Sequence, residues 1–172
     1  SEVGNLINLE YLNLRENDFT GSIPESICNL DSLVHLALHT NALSGTIPEC
    51  IGNLSNLAYF TLGAGAHAGG SNSLTGEIPE SFWNLTSLSH FSAEGNQLTG
   101  QISENIGNLT NLQSFGLGGN QFSGNIPESI CNCPLENPNN AWDHGLGDNQ
   151  FCGPYPDCLT ESFIGNQDIS NC

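Results

Sequence analysis

The chain has 172 residues, of which 18 are acidic, one is basic and five are histidines, so its formal net charge is −17. This length predicts a single domain, and a polyanion whose only basic residue is Arg15 has no patch for binding nucleic acid or an anionic membrane. No apolar run approaches the roughly 18 residues needed to cross a bilayer, so the sequence predicts no membrane insertion in this segment.

The acidic excess has several interpretations. Solubility alone explains it, and the sharper alternatives are adaptation to salty water, calcium binding and a cationic partner. The charge also means that copies of the chain repel each other at low salt and attract cations. Composition therefore disfavours nucleic acid and anionic membranes as partners, but it does not identify a partner.

An internal repeat of 24 residues runs through the chain. Repeat one runs from Val3 to Ser26, and the following repeats begin at Ile27, Ile51, Phe82, Ile106 and Ile130. Repeat three carries seven extra residues near 63–71, and repeat six carries five near 133–143. Such a period predicts a solenoid of about six turns.

Three columns of identical residues recur in all repeats. One asparagine column is Asn17, Asn41, Asn72, Asn96, Asn120 and Asn149. The glycine column four residues later is Gly21, Gly45, Gly76, Gly100, Gly124 and Gly153. An earlier asparagine column is Asn5, Asn29, Asn53, Asn84, Asn108 and Asn132. Three unbroken columns predict that every repeat takes the same local structure.

The residue pattern of one repeat predicts its course. Leu12 and Leu14 alternate as on a strand and point inward, whereas Leu6 and Leu9 lie three apart, as on a helical turn. The asparagine after each strand turns the chain, and its amide can satisfy backbone groups and recur as a ladder. The glycine permits unusual backbone conformations, and the Ile-Pro step starts an extended leg. Stacked repeats then bury the apolar set in one continuous core.

The motif L-x-x-L-x-L-x-x-N-x-L-x-G-x-I-P, at Leu9 to Pro24 and Leu33 to Pro48, resembles the plant-type leucine-rich repeat. That family includes receptor-kinase ectodomains, receptor-like proteins and polygalacturonase inhibitors. The resemblance implies a right-handed α/β-type coil with a parallel sheet on its concave face, a short second sheet, and 3-10 or helical turns on the convex side. Members are usually extracellular and bind proteins, peptides or small ligands.

The end of the chain is similar to the cysteine-bearing C-terminal cap of that family, most clearly over 151–158. We therefore assign 1–157 to leucine-rich repeats and 158–172 to a C-terminal cysteine cap. The chain departs from the family in lacking a cysteine-paired N-terminal cap and in having almost no lysine or arginine.

The cysteines predict disulfide bonds and an oxidising compartment. Their spacing does not match the paired C-x2-C ligands of a zinc site. We expect Cys152, Cys158 and Cys172 to be bonded, with Cys131 or Cys133 as a further partner. Stacking also brings Cys28 near Cys50, so these two are expected to pair. Seven cysteines leave at least one thiol free or bonded to another chain.

The outward positions of the concave strands predict a binding strip rich in tyrosine and histidine. We expect Tyr11, His35, Tyr59 and His90 to form one exposed row. The full set of predicted ligand-binding residues is Tyr11, Asn13, Arg15, His35, His39, Tyr59, Thr61, His67, His90 and Glu94. The alternative is an ordinary solvated sheet face.

Neither catalysis nor a histidine metal site is predicted. His35 and His39 lie four strand residues apart, about 13 Å, which is too far to share one metal ion. No Ser/His/Asp or paired-carboxylate set falls in one column, so we expect no enzyme.

An acidic residue follows the proline position of each repeat. This column is Glu25, Glu49, Glu80, Glu104, Glu128 and Asp157. It is either simple reuse of an Ile-Pro-Glu turn or a linear ladder for calcium, since only oxygen ligands are on offer. No other cofactor is predicted.

Two further features sit at defined repeat positions. The small-residue loop 63–71, which contains His67, is either a tolerated insertion or a contact loop at the end of the binding strip. Three glycosylation sequons begin at Asn53, Asn84 and Asn108, although the repeat motif itself generates them.

The leading functional hypothesis is an extracellular recognition or adhesion module that binds a protein or carbohydrate partner through its concave face. One alternative is a structural subunit that assembles end to end, because residues 3–14 carry a full inward apolar set with no preceding repeat or cap. We expect a further segment or another subunit to cover that edge. A third interpretation is ice binding by a Ser/Thr column on the second sheet, which consists of Thr20, Ser44, Thr75, Thr99 and Ser123.

Overall fold

The computed structural model describes residues 2–63, 72–135 and 145–172. These residues form a solenoid in which each of the first five turns contributes a strand to a first sheet, a strand to a second sheet and a 3-10 helix. No helix within these ranges is long and apolar enough to cross a membrane.

The first sheet lies on the concave face, and all its strands are parallel. In the described residues its strands, in spatial order, are β1 (Tyr11–Asn13), β3 (His35–Ala37), β5 (Tyr59–Thr61), β7 (His90–Ser92) and β9 (Ser114–Gly116). Equivalent residues of successive repeats lie directly opposite each other, as Tyr11 does with His35.

The second sheet is also parallel. Within the described ranges it contains β2 (Thr20–Ser22), β4 (Ala42–Gly45), β6 (Ser73–Gly76), β8 (Gln97–Gly100), β10 (Gln121–Asn125) and β11 (Gln150–Cys152). Here the register differs from the first sheet, because Gly21 lies opposite Leu43 rather than opposite the equivalent Gly45.

This stagger corrects the expected Ser/Thr column of the second sheet. Ser44 lies opposite Ser22 and Ser73, and Thr75 lies opposite Gln97. Because neighbouring strands are offset by two residues, motif-equivalent hydroxyls lie on a diagonal. A straight, evenly spaced hydroxyl array of the kind proposed for ice binding is therefore not formed.

Short helices occupy the convex side. Those in the described residues are the 3-10 helices η1 (Glu2–Asn5), η2 (Glu25–Asn29), η3 (Glu49–Asn53), η4 (Glu80–Asn84), η5 (Glu104–Asn108) and η6 (Glu128–Asn132), followed by the α-helix α1 (Glu161–Ile164). The extended segment expected after the Ile-Pro step is short. Pro24 is extended at φ −74° and ψ 138°, but η2 begins at the next residue.

The core lies between the sheets and the 3-10 helices. One inward position of the first sheet is phenylalanine in three successive repeats, so Phe60, Phe91 and Phe115 stack along the axis with ring centroids 5.5 and 6.0 Å apart. Phe82 packs against Phe91 from the convex side at 4.6 Å. All four side chains are fully buried, as expected for a core shared by neighbouring turns.

The asparagine column forms the expected ladder. Asn120 donates from Nδ2 to the carbonyls of Leu117 in its own turn and Ala93 in the preceding one, at 2.9 and 3.0 Å. Its Oδ1 accepts the backbone N–H of Leu98 at 2.9 Å. Each interior asparagine thereby satisfies buried backbone groups of two turns, which a bend in a solenoid otherwise leaves without partners.

Gln167 ends this ladder, a role that the asparagine column did not predict. Its Nε2 donates to the carbonyls of Ile164 and Leu146, and its Oε1 accepts the N–H of Phe151. Gln167 follows Ile164 by three residues, as Asn149 follows Leu146, and that spacing was the available signal. The cap therefore continues the hydrogen-bonding pattern of the repeats past the boundary drawn at 158.

The described residues contain three disulfide bonds. They join Cys28 to Cys50, Cys131 to Cys158 and Cys152 to Cys172, with Cα–Cα distances of 5.9, 5.8 and 5.7 Å. The first links two neighbouring turns, and the other two tie the cap to the last repeat. Cys133 is left as a buried thiol.

Burial raises the pKa of the Cys133 thiol to about 11. We therefore expect less than about one per cent of it to be thiolate near pH 8, and native protein to resist alkylation by iodoacetamide. Unfolding without reductant exposes the thiol, and mass spectrometry should then find one alkyl group, on Cys133. Rapid alkylation of the native protein would contradict both the burial and the pairing.

The first turn presents an apolar edge. Leu6, Ile7 and Phe19 are 53, 59 and 46% exposed, whereas Leu12 and Leu14 are only partly buried. That a further segment or another subunit covers residues 3–14 stays a prediction.

Candidate ligand-binding site

The first sheet carries a stacked row of rings, which we call the ring row: Tyr11, His35, Tyr59 and His90. Strand pairing aligns these positions, since Tyr11 lies opposite His35, His35 opposite Tyr59, and Tyr59 opposite His90. The ring centroids lie 4.1, 4.8 and 4.6 Å apart, with interplanar angles of 16, 9 and 25°. The strand spacing of about 4.8 Å sets this distance, so rings at equivalent positions stack face to face.

Stacking determines which parts of the rings face solvent. His35 and Tyr59 have neighbours on both faces, so they offer their edges and polar atoms. Tyr11 is 58% exposed and Tyr59 is 36% exposed, while His35 and His90 are half-buried. Ser89 Oγ lies 2.9 Å from His90 Nδ1 and helps to hold that ring. The row thus presents alternating phenol hydroxyls and imidazole nitrogens.

Arg15 and His39 lie just beyond the ends of β1 and β3, on the turns that carry Tyr11 and His35. His39 Nδ1 is 2.7 Å from Thr61 Oγ1, a hydrogen bond that spans neighbouring turns. Arg15 is exposed, and its Nε lies 3.6 Å from Glu16 Oε1. Asn13 is exposed, and its Oδ1 accepts the backbone N–H of Arg15 at 3.2 Å. These residues extend the polar surface of the ring row at the N-terminal end of the sheet.

Two members of the predicted strip are buried rather than exposed. Thr61 is 8% exposed beneath its hydrogen bond to His39, and Glu94 is 4% exposed. Ser92 Oγ donates to the Glu94 carboxylate. A Cβ on Gly116 would overlap Glu94 Oε1, so the glycine leaves room for this side chain to lie along the sheet. Strand alternation predicts the face of the sheet on which a side chain lies, but it does not predict how deeply that side chain is buried.

Two histidines of the site have lowered pKa values. Burial is the main cause for His35, and the nearby charge of Arg15 adds to it. Burial also dominates for His39, followed by Arg15; the charge of Glu16 partly opposes these effects, and His35 contributes a smaller lowering. Both imidazoles are therefore neutral near pH 7 and gain charge only in more acidic solution.

The residues of the acidic column lie at equivalent positions of successive turns. Glu25, Glu49, Glu80, Glu104 and Glu128 each begin a 3-10 helix, whereas Asp157 lies in a turn just before the cap. Glu80 Oε1 accepts hydrogen bonds from Asn105 Nδ2 and Ser103 Oγ of the next turn. Among the residues that the structure describes, no three His, Cys, Asp or Glu side chains lie close enough to hold a metal ion. The column is spread along the solenoid axis, so its carboxylates do not converge.

Of the remaining predicted sites, the structure describes the sequon asparagines but not His67. Asn53, Asn84 and Asn108 are exposed at the ends of η3, η4 and η5. His67 and most of its loop lie outside the described residues.

A family model described as a leucine-rich repeat region matches residues 1–137. The chain is a leucine-rich-repeat protein. Its strands, 3-10 helices and asparagine ladder are those that the repeat predicts, and its C-terminal cap carries disulfides. No curated protein matches this leucine-rich-repeat chain significantly.

Solved plant leucine-rich-repeat structures resemble it closely. The complex of PEPR1 with AtPEP1 has 36% identity and a TM-score of 0.80, over 92% of this chain and 21% of that one. The Arabidopsis receptor kinase HAESA, solved with the peptide hormone IDA and the co-receptor SERK1, has 35% identity and a TM-score of 0.78, over 95 and 25% of the two chains. The plant peptide hormone receptor RGFR1, solved in complex with RGF2, has 35% identity and a TM-score of 0.77, over 95% of this chain and 24% of that one. The leucine-rich-repeat chain thus spans about a quarter of these relatives or less.

Proposed function

We propose that this chain is an extracellular, non-catalytic recognition module that binds an extended peptide segment of a protein partner across its concave sheet. The observation that carries the proposal is the ring row, in which four stacked side chains line up on one exposed face. Tyrosine combines a rigid apolar ring with a hydrogen-bonding hydroxyl, and it is enriched in binding surfaces.

Ring geometry favours a peptide over a carbohydrate. Sugars gain much of their affinity by lying on an open aromatic face, but both faces of His35 and Tyr59 are covered by neighbouring rings. What remains is a line of ring edges with hydroxyl and imidazole groups about 4.8 Å apart. An extended peptide has backbone N–H and carbonyl groups that can form hydrogen bonds with these hydroxyl and imidazole groups.

The comparisons and the cysteines support the same proposal. HAESA was solved with the peptide hormone IDA, and the plant peptide hormone receptor RGFR1 was solved with RGF2. Three disulfides within the described residues favour an oxidising, extracellular location. The exposed sequon asparagines would accept glycans without touching the ring row.

A binding selection tests the proposal. We expect a displayed library of random dodecapeptides to yield binders to the disulfide-bonded protein, and a glycan array to yield none. Replacing Tyr59 with alanine should weaken the selected peptides by about tenfold or more, since it removes the central ring. Binding is measured by isothermal titration calorimetry.

The matched control is Gln121→Ala, an exposed residue on the second sheet. It should leave affinity within about twofold. Selection of glycans alone, or peptides that bind Tyr59→Ala as well as the parent, would overturn the proposed function.

A further inference from the structure

Positive charge is segregated on this molecule. Within the described ranges, every side chain able to carry a positive charge lies on or directly after a strand of the first sheet; these residues are Arg15, His35, His39 and His90. By contrast, the acidic column of the 3-10 helices lies on the convex side. In a chain with 18 acids and one arginine, this placement concentrates positive charge at one end of the concave face.

We propose that the cluster formed by Arg15, His35 and His39 receives the carboxylates of an acidic peptide segment, and that its affinity for these groups increases as the solution becomes more acidic. The inference rests on the proposed function, because it names the chemistry of the peptide that the concave face binds.

The strand pairing supports this cluster. Asn13 lies opposite Ala37, and the backbone N–H of Glu16 donates to the His39 carbonyl at 3.1 Å, so Arg15 and His39 occupy neighbouring positions on adjacent turns. The charge of Arg15 helps to lower the pKa values of both His35 and His39, in keeping with this placement. The arginine is exposed, and within the described ranges its side chain pairs with exposed Glu16 alone, an ion pair that water screens strongly.

The groups facing the two imidazoles explain the pH dependence. Tyr11 and Tyr59 cover the faces of His35, while His90 lies beyond Tyr59 in the ring row. Around His39 are Thr61, Arg15 and Glu16, and Gly63 separates it from the buried Glu94 of the next strand.

Burial and Arg15 lower both histidine pKa values, so both rings are neutral near pH 7. A bound carboxylate offsets the repulsion from Arg15 and favours the protonated rings. Binding therefore takes up protons, and the site strengthens as the pH falls. At about 0.15 M salt the acids of the convex side are largely screened from a ligand here.

Two small probes test this inference: N-acetyl tetra-aspartate amide and the uncharged N-acetyl tetra-asparagine amide. Affinities come from NMR titrations of the histidine signals at about pH 7.5 and 5.0, where aspartate stays ionised. We expect the aspartate probe to bind about tenfold more tightly at the lower pH and the asparagine probe to show no such change.

Variants test whether aspartate binding and its pH dependence come from Arg15, His35 and His39. Arg15→Gln should weaken the aspartate probe about tenfold at both pH values, whereas Gln121→Glu, which changes net charge equally on the second sheet, should stay within about twofold. The double variant His35→Gln/His39→Gln should remove the pH dependence. Thermal unfolding of each variant checks that the fold is intact, and calorimetry in two buffers measures proton uptake by the parent.

Three results would overturn the inference: no aspartate binding at pH 5.0, equal weakening by Arg15→Gln and Gln121→Glu, or pH dependence that survives in the double variant. Preference for a sulfated disaccharide over the aspartate probe would also overturn it. If the library peptides bind through Tyr59 while the aspartate probe fails, only this inference falls and the proposed function stands.

Discussion

Replacing Asn120 with alanine is expected to lower the free energy of unfolding by about 3–5 kcal/mol. The side chain is 8% exposed and serves the carbonyls of Ala93 and Leu117 and the N–H of Leu98. Alanine leaves these groups without partners in the core, and each unsatisfied group costs about 1–3 kcal/mol. Urea denaturation followed by circular dichroism measures the loss.

Asn17→Ala is the matched control for this prediction. Asn17 is the first member of the same column, but it is exposed and donates only to the carbonyls of Leu14 and Arg15 in its own turn. Water can replace both bonds, so we expect a loss within about 1 kcal/mol. Equal losses at Asn120 and Asn17 would show that the ladder does not stabilise the stack.

Phe91→Ala is expected to cost about 3–5 kcal/mol, the usual range for removing a large buried aromatic side chain. Phe91 is fully buried and contacts the rings of Phe60, Phe82 and Phe115. The cavity lies in the middle of the stack, where turns on both sides depend on it, so local unfolding around β7 should accompany the loss. Denaturant midpoints and hydrogen exchange report the two effects.

Phe19→Ala makes the same chemical change at the edge of the first turn, where the ring is 46% exposed. Its loss should be within about 1 kcal/mol, because much of the ring already contacts water. A Phe91→Ala protein as stable as Phe19→Ala would contradict the stacked-phenylalanine core.

The first sheet could be predicted residue by residue. Its columns follow from the 24-residue period and from strand alternation around Leu12 and Leu14, and strand pairing then aligns Tyr11 with His35. Face-to-face stacking follows less directly, because it depends on side-chain rotamers as well as on strand spacing.

Other features depend on tertiary packing and were missed. The burial of Glu94 requires the space above Gly116, which no local pattern reveals. The stagger of the second sheet depends on how successive turns pack, so motif-equivalent residues need not lie opposite. Likewise, Cys131 rather than Cys133 pairs with Cys158, because Cys133 is buried in the core. Cys131 and Cys133 are separated by one residue, so sequence spacing could not decide which of them forms the bond.

The central claim is that the ring row is the ligand-binding surface. Its most direct test is an NMR map of the uniformly labelled protein with a library-selected peptide bound. We predict that the largest shift changes fall on Tyr11, His35, Tyr59 and His90, and that β4, β6 and β8 of the second sheet stay unchanged. Changes confined to the second sheet or the convex helices, with the ring row undisturbed, would contradict the account.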